Sequence, residues 1–383
     1  MIRYRLSYAD WSGAEFGAAA SCVLGGRIAA GPKPAQLAAQ LAARYAPSTA
    51  YPVNYGHTAL GIALALFQAR APRRSEVLVP AYICPSVLDT IEAAGLRAVT
   101  VDIDADLNLS PQSVAARLGP DTLAVVAPHM FGCPAQIGAI EKLCRDAGVF
   151  LVDDAAQVVG ESVDGRLLGT FGDVGLVSFA QSKTVVTGVR GSGGVLLVNR
   201  PELDADARQA CEALPLPRGR LRAFVYFVWN YVWASRTGKS GYYLVRLRDL
   251  LGIAAPSAAT PARISNLDAA LALVQLQRLD HLRAAKIKVA AMYHAALDGS
   301  IAFPQYAEGR YLSRIMLALP PGVDMAAFRA AAARAGVETR LGYTLAVDPE
   351  LAARLFGVPF KAGMLEADIK NICSILNTTL GKK

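Results

Sequence analysis

Long apolar runs are missing from this chain. No stretch of about 18 uncharged apolar residues occurs, so nothing reads as a membrane span. Charge is sparse, at 18% of residues, and Lys and Arg form no dense run interleaved with aromatics, which argues against a nucleic-acid partner. The six cysteines (Cys22, Cys84, Cys133, Cys144, Cys211 and Cys373) include no CxxC pair. Neither a disulfide framework nor a metal site is expected, and a reducing, cytoplasmic setting fits best. The opening residues, MIRYRLSYADWSGAEFGAAAS, carry Asp10 and Glu15 and lack a long apolar core, so they do not read as a signal peptide. What remains is a chain of 383 residues, 53% hydrophobic, with net charge +8. That length suits about two to three domains and a large core. The basic balance favours anionic partners, phosphorylated metabolites or anionic lipid before nucleic acid.

Helical patterns over 33–46, 56–71, 85–94, 111–118 and 135–147 alternate with short apolar runs over 75–80, 97–102, 122–128 and 149–153. Continuous apolar strands between helices predict a mainly parallel sheet covered on both faces. Two further runs, 175–179 and 194–199, predict strands that turn back as hairpins. After Arg200 the pattern breaks into a basic, aromatic stretch, and one long helix is predicted from Asn266 to Leu297. Short strands and helices follow. The expected division is a large α/β domain over 1–262, with an insertion over about 205–260, and a smaller α+β domain over 263–383 that carries the connecting helix.

The chemistry concentrates at two strand ends. VDDAAQ places Asp154 and Gln157 where ligands gather in an α/β sheet, and SFAQSK places Ser178 and Lys183 at another. An aspartate and a lysine at adjacent strand ends fit pyridoxal phosphate. The lysine would bond its aldehyde, and the aspartate would keep its pyridine nitrogen protonated. Asp153 is the alternative acid. Upstream, Gly56-His57-Thr58 opens a helix whose N–H groups suit a phosphate. GVRGSGG looks like a phosphate loop but runs into a strand, so a dinucleotide fingerprint is not expected. His129 in PHMFG reads as a supporting group, not a base.

GHTAL, EVLVPAY, AAGLRAVTVDID, PHMFG, VDDAAQVVGESVDGRLLGTFGDVGLVSFAQSKTVVTG, AALALVQLQRLD and GVETRLGYTL together resemble the DegT/DnrJ/StrS family of pyridoxal-phosphate-dependent sugar aminotransferases. The resemblance implies fold type I, the aspartate-aminotransferase-like architecture: a large α/β/α domain on a mainly parallel sheet, plus a smaller C-terminal α+β domain. It implies Lys183 as the lysine bonded to the cofactor and as the proton shuttle, Asp154 at the pyridine nitrogen, Gln157 near the phenolic oxygen, and Ser178 with Gly56, His57 and Thr58 at the phosphate. Lys183 also distinguishes the chain from the family's dehydratase branch, where a histidine stands in that place. The resemblance implies a reaction that moves an amino group, with glutamate as donor, to a nucleotide-linked keto-sugar, within a homodimer.

The chain departs from the family's pattern in four places. Tyr55-Gly56-His57 stands where Ser-Gly-Thr is usual. Cys84 aligns with the aromatic that stacks on the ring, leaving Tyr82 as a substitute. Pro261-Ala262-Arg263 replaces Asn-Tyr-Arg, keeping the Arg263 that would face the partner's cofactor, and the loop after Lys183 is longer. One stretch lies outside the resemblance. Residues 218–236 combine Phe224, Tyr226, Phe227, Trp229, Tyr231 and Trp233 with Arg218, Arg220, Arg222 and Arg236. It reads either as a buried or subunit-facing insertion or as a peripheral contact with the inner membrane surface. The alternatives for function are accordingly an enzyme for a lipid-borne or apolar substrate, and a cofactor-binding regulator without turnover.

Overall fold

The computed structural model describes residues 2–6, 9–233, 243–244, 247, 250–252, 260–304, 313–343 and 349–381. A seven-stranded sheet runs in the order β1-β9-β8-β5-β4-β2-β3. Its strands are β1 (Thr49–Val53), β2 (Glu76–Pro80), β3 (Arg97–Val101), β4 (Thr122–Pro128), β5 (Phe150–Asp154), β8 (Val174–Ser178) and β9 (Gly194–Val198). The pairings from β3 through β8 are parallel, whereas β9 runs against both β8 and β1. Between β5 and β8 lies a small hairpin of β6 (Ser162–Val163) and β7 (Arg166–Leu167).

β2, β4, β8 and β9 are buried along their whole length, and β5 at its three middle residues, because both faces are covered. One face packs on α3 (Gly56–Arg70), α4 (Pro85–Ala93) and α7 (Asp204–Glu212) through Leu64, Phe67, Ile91, Ala124, Val126 and Cys211. The other is covered by α5 (Pro111–Arg117) and α6 (Ile137–Asp146) through Val125, Ala127, Val114 and Ile140. Farther along, α2 (Lys33–Arg44) and α9 (Asn266–Gln277) close that face through Leu37, Leu41, Leu197 and Ala272.

A second core forms around the three-stranded sheet β10-β12-β11. Its members are β10 (Met316–Ala318), β11 (Arg340–Leu341) and β12 (Leu355–Gly357), with α10 (Leu279–Ala296), α11 (Met325–Arg334), α12 (Pro349–Arg354) and α13 (Glu366–Gly381). Tyr82, Leu107, Met130 and Phe131, from loops of the large sheet, also pack into this core.

Two features differ from the sequence reading, and a third bears on an alternative it left open. The expected single helix over 266–297 is two, separated at Arg278, where φ −105° and ψ 8° leave the helical region. Arg278 turns to the N-terminal segment, donating to Glu15 Oε1 at 2.8 Å and Ser12 Oγ at 3.1 Å. Glu15 belongs to α1 (Gly13–Leu24), which opens on a capping box with Ser12. Second, β1 was not foreseen, because Pro52 interrupts TAYPV. β1 is the outermost strand, where a missing N–H is tolerated. Third, the aromatic stretch, read as a buried or subunit-facing insertion or as a membrane contact, packs one face inward. In α8 (Arg220–Phe227) and the π-helical turns over Val228–Trp233, Ala223, Phe227, Val228 and Val232 are buried against Trp11, Leu267 and Leu271. Arg220 is buried too, in a two-pronged pair with Asp268 at 2.7 and 2.9 Å. Leu221, Val225 and Trp233 remain exposed along one edge. Arg236 lies outside the described residues. Among the described residues no helix is long and apolar enough to cross a membrane.

Candidate active site

The carboxyl ends of β2, β4, β5 and β8 meet at one cavity, which is also lined by Arg314, just before β10, by Arg340 of β11 and by Tyr343 after it. Pro128 and Met130 come from the end of β4, Asp154, Ala156 and Gln157 from β5, Ser178, Ala180 and Lys183 from beyond β8, and Cys84 from beyond β2. This is where open α/β sheets gather ligands. β1 delivers Tyr55, Gly56 and His57 to the same edge, since α3 begins there. The approach is close: a Cβ on Gly194 would lie 2.5 Å from the Gly56 nitrogen, so that crossing admits only glycine.

The two adjacent aspartates have different fates, because consecutive strand residues point to opposite faces. Asp153 is fully buried: Oδ2 accepts the N–H groups of Gly169 at 2.6 Å and Phe171 at 3.0 Å, and Oδ1 lies 2.7 Å from His129 Nε2. The Ala135 N–H donates to His129 Nδ1 at 2.9 Å, so Nδ1 is the acceptor and Nε2 carries the hydrogen toward Asp153. His129 thus supports the strand end and does not reach the cavity as a base. Asp154 faces the cavity, with Oδ1 accepting the Ala156 N–H at 3.0 Å. Burial pushes its pKa up, opposed by the positive charge of Lys183. Burial likewise lowers the pKa of the Lys183 ammonium, opposed by Asp154. The pair is therefore less firmly charged than either group would be in water.

Gln157 is held from two sides, its Oε1 accepting from the Phe131 N–H at 3.2 Å and from Ser313 Oγ at 2.8 Å. Ser313 belongs to the second core's side of the cavity, so Gln157 links the two. Phe131 sits at φ 56°, which turns PHMFG beneath it.

His57 has no protein partner for either ring nitrogen, although both are buried. Burial first, and then the charges of Lys183 and Arg190, push its pKa down to about 4. Gln181 Oε1 and Ser182 Oγ are also buried without partners. Buried polar groups are ordinarily satisfied, so such a cluster marks a place for a polar ligand. The sign of charge says which: among the described residues Lys183, Arg190, Arg314 and Arg340 line the cavity, against the single carboxylate of Asp154. The residues present fit a phosphorylated, aldehyde-bearing heterocycle such as pyridoxal phosphate, which needs an amine, a facing carboxylate and an anion-binding helix start.

Seven of the expected residues line the cavity: Gly56, His57, Cys84, Asp154, Gln157, Ser178 and Lys183. Three do not. Thr58 is turned into the chain, its hydroxyl donating to Asn54 Oδ1 at 2.9 Å. Tyr82 is buried in the second core, with its hydroxyl accepting the Tyr343 N–H at 3.1 Å. Arg263 donates to the carbonyls of Leu214 and Glu212 on the surface. Sequence reasoning overlooked Met130, Arg190, Arg314, Arg340 and Tyr343 as lining residues. Arg340 and Tyr343 lie in GVETRLGYTL and Arg190 in GVRGSGG, so both segments were in view without their aim. Tyr343, like Tyr55, lines the cavity where Tyr82 does not, its ring centroid 5.3 Å from that of Tyr82.

Residues 11–354 match the model of the DegT/DnrJ/EryC1/StrS aminotransferase family. A curated relative, GDP-perosamine synthase of Vibrio cholerae, is 27% identical over 248 residues, 64% of this chain and 58% of that one. The chain thus spans under two thirds of that relative's length. Among solved structures, PseC of Helicobacter pylori, an aminotransferase involved in the biosynthesis of pseudoaminic acid, superposes with a TM-score of 0.81 at 14% identity over 100% of both chains. The aminotransferase TlmJ of Streptoalloteichus hindustanus gives 0.78 at 24% identity over 99% of both. At these identities the structural likeness speaks to the fold.

Proposed function

The chain belongs to the DegT/DnrJ/EryC1/StrS aminotransferase family, with fold type I and pyridoxal phosphate as cofactor, and on that premise we propose that it transfers an amino group from glutamate to a keto-sugar carried on a nucleotide. The observation that carries this reading is the half-buried Lys183 that shares with Asp154 a cavity with an excess of cationic side chains among the described residues. Lys183 and Asp154 would hold the cofactor at its aldehyde and pyridine nitrogen. His57, Ser178 and the N–H groups opening α3 would hold its phosphate, with Gln157 beside the ring. When bound, pyridoxal phosphate supplies a carbonyl that takes up the amino group and a ring that accepts an electron pair.

The remaining work falls to this chain's side chains. Burial favours the neutral amine of Lys183, so its Nζ can take a proton and return it on the cavity side. Asp154 supplies the compensating negative charge, held in place by the Ala156 N–H. Arg314 and Arg340, on the second core's side, are suited to carboxylate or phosphate groups of the two substrates. The name of the Vibrio cholerae relative supports a nucleotide-linked sugar.

Mass spectrometry of cofactor-loaded protein with glutamate and a panel of nucleotide-linked keto-sugars tests the reading. An amino-sugar product supports it; no product with any ketone, alongside intact cofactor binding, favours the regulator. A subunit contact is the better occupant for the exposed edge of α8, since Arg220 and the larger aromatic face are already engaged inside the chain. Light scattering at dimer mass, and no sedimentation with anionic liposomes, are the expected results.

A further inference from the structure

A second buried lysine packs against the backbone of the segment that carries Lys183. Lys286, on α10, is 3% exposed. Its Nζ donates to the main-chain carbonyls of Lys183 and Thr184, each at 3.4 Å, and lies 3.5 Å from Asp10 Oδ2. Asp10 Oδ1 in turn accepts the Ala362 N–H at 2.8 Å. One ammonium thus ties together the lysine loop, the N-terminal segment and the segment that follows β12.

The loop needs such a tie. Ser182, immediately before Lys183, holds φ at 65°, a left-handed conformation that a serine adopts only when its surroundings impose it. Its hydroxyl is buried without a partner and contributes nothing to that hold. On the other side, Thr184 Oγ1 donates to the Gln157 carbonyl at 3.1 Å. Burying an ammonium is costly, and an apolar side chain of similar length would fill the space without that cost. A lysine kept there, aimed at two consecutive carbonyls, points to placement of the backbone.

We propose that Lys286 is a positioning residue: through the Lys183 and Thr184 carbonyls, with Asp10 as counter-ion, it fixes the strained turn that presents the Lys183 side chain to the cofactor. The proposal rests on the reading of Lys183 given above, but its first test does not need the cofactor.

Hydrogen–deuterium exchange of the cofactor-free protein, compared between wild type and K286M, is expected to show about tenfold faster exchange confined to peptides covering 180–188. Peptides of β4, β5 and β8 should keep their protection. After loading with pyridoxal phosphate, the visible circular dichroism per bound cofactor should fall by about half in K286M and recover in K286R. Uniformly faster exchange, or unchanged exchange at 180–188, overturns the proposal and leaves Lys286 a general stabiliser. Should K286M fail to fold, D10N decides: unaltered exchange at 180–188 and unaltered visible ellipticity overturn it equally. Wild-type protein that takes up no cofactor would count against the proposed function, while the exchange result would stand by itself.

Discussion

Two regions a few residues apart at the end of β5 are built on opposite principles. Around Asp153 every polar group is answered: His129, Gly169 and Phe171 donate to one carboxylate, and the histidine's other nitrogen is taken by Ala135. Around Asp154 and Lys183 polar groups are left over: both nitrogens of His57, Gln181 Oε1 and Ser182 Oγ. Elsewhere among the described residues, partnerless buried atoms occur on Tyr4, Arg44 and Tyr45. A saturated network supports the fold; a cluster of unsaturated groups around a cavity waits for a ligand. Two neighbouring carboxylates therefore ought to fail in different ways when removed.

The largest difference is expected from D154A. Transamination should fall by on the order of 10³-fold, about 4 kcal/mol in barrier, while the urea midpoint shifts little. Near-normal turnover would erase the contrast and transfer the role to Asp153. The reverse substitution, D153A, should strip partners from two buried N–H groups and His129. A loss of about 3 kcal/mol in unfolding free energy is expected, read by urea titration.

A third test uses pH. The His57 pKa of about 4 lies below the ordinary value near 6.5, so between those values the unfolded chain binds a proton that the folded chain does not. Stability of the cofactor-free protein should therefore drop as pH is lowered, by about 2 kcal/mol from pH 7 to pH 5. H57Q should flatten this slope, and so should cofactor loading, which gives the imidazolium an anion. A slope that persists in H57Q would assign it to another group. Smallest of all, T58V removes a satisfied hydroxyl and should cost about 1 kcal/mol of stability. Its affinity for pyridoxal phosphate should stay that of wild type; a marked drop would return Thr58 to the phosphate site.

The parallel strands were legible because burial on both faces makes them unbroken apolar runs, as in LAVV and VGLVS. Asp154, Gln157, Ser178 and Lys183 were legible because short motifs follow those strands directly. Arg314 and Tyr343 were not, since they reach the cavity through the second core, and nothing local in the sequence records that approach. The break at Arg278 escaped notice for a similar reason: NLDAALALVQLQRLDHLRAAK is helical by pattern throughout, and the turn is held by Glu15 from far upstream. The SGAE capping box that begins α1 was a readable signal passed over.

The reversed direction of β9 has a consequence for how this site can change. Ser178 at the end of β8 sits opposite Gly194 at the start of β9, so the segment between them leaves and re-enters the sheet at one point. Such a closed excursion can change in length without shifting the register of any strand. Because Phe179, Val185 and Ser192 within it are fully buried and Lys286 holds the carbonyls of Lys183 and Thr184, a change of length falls most easily beside the exposed Arg190, with the sheet acting as an unaltered frame.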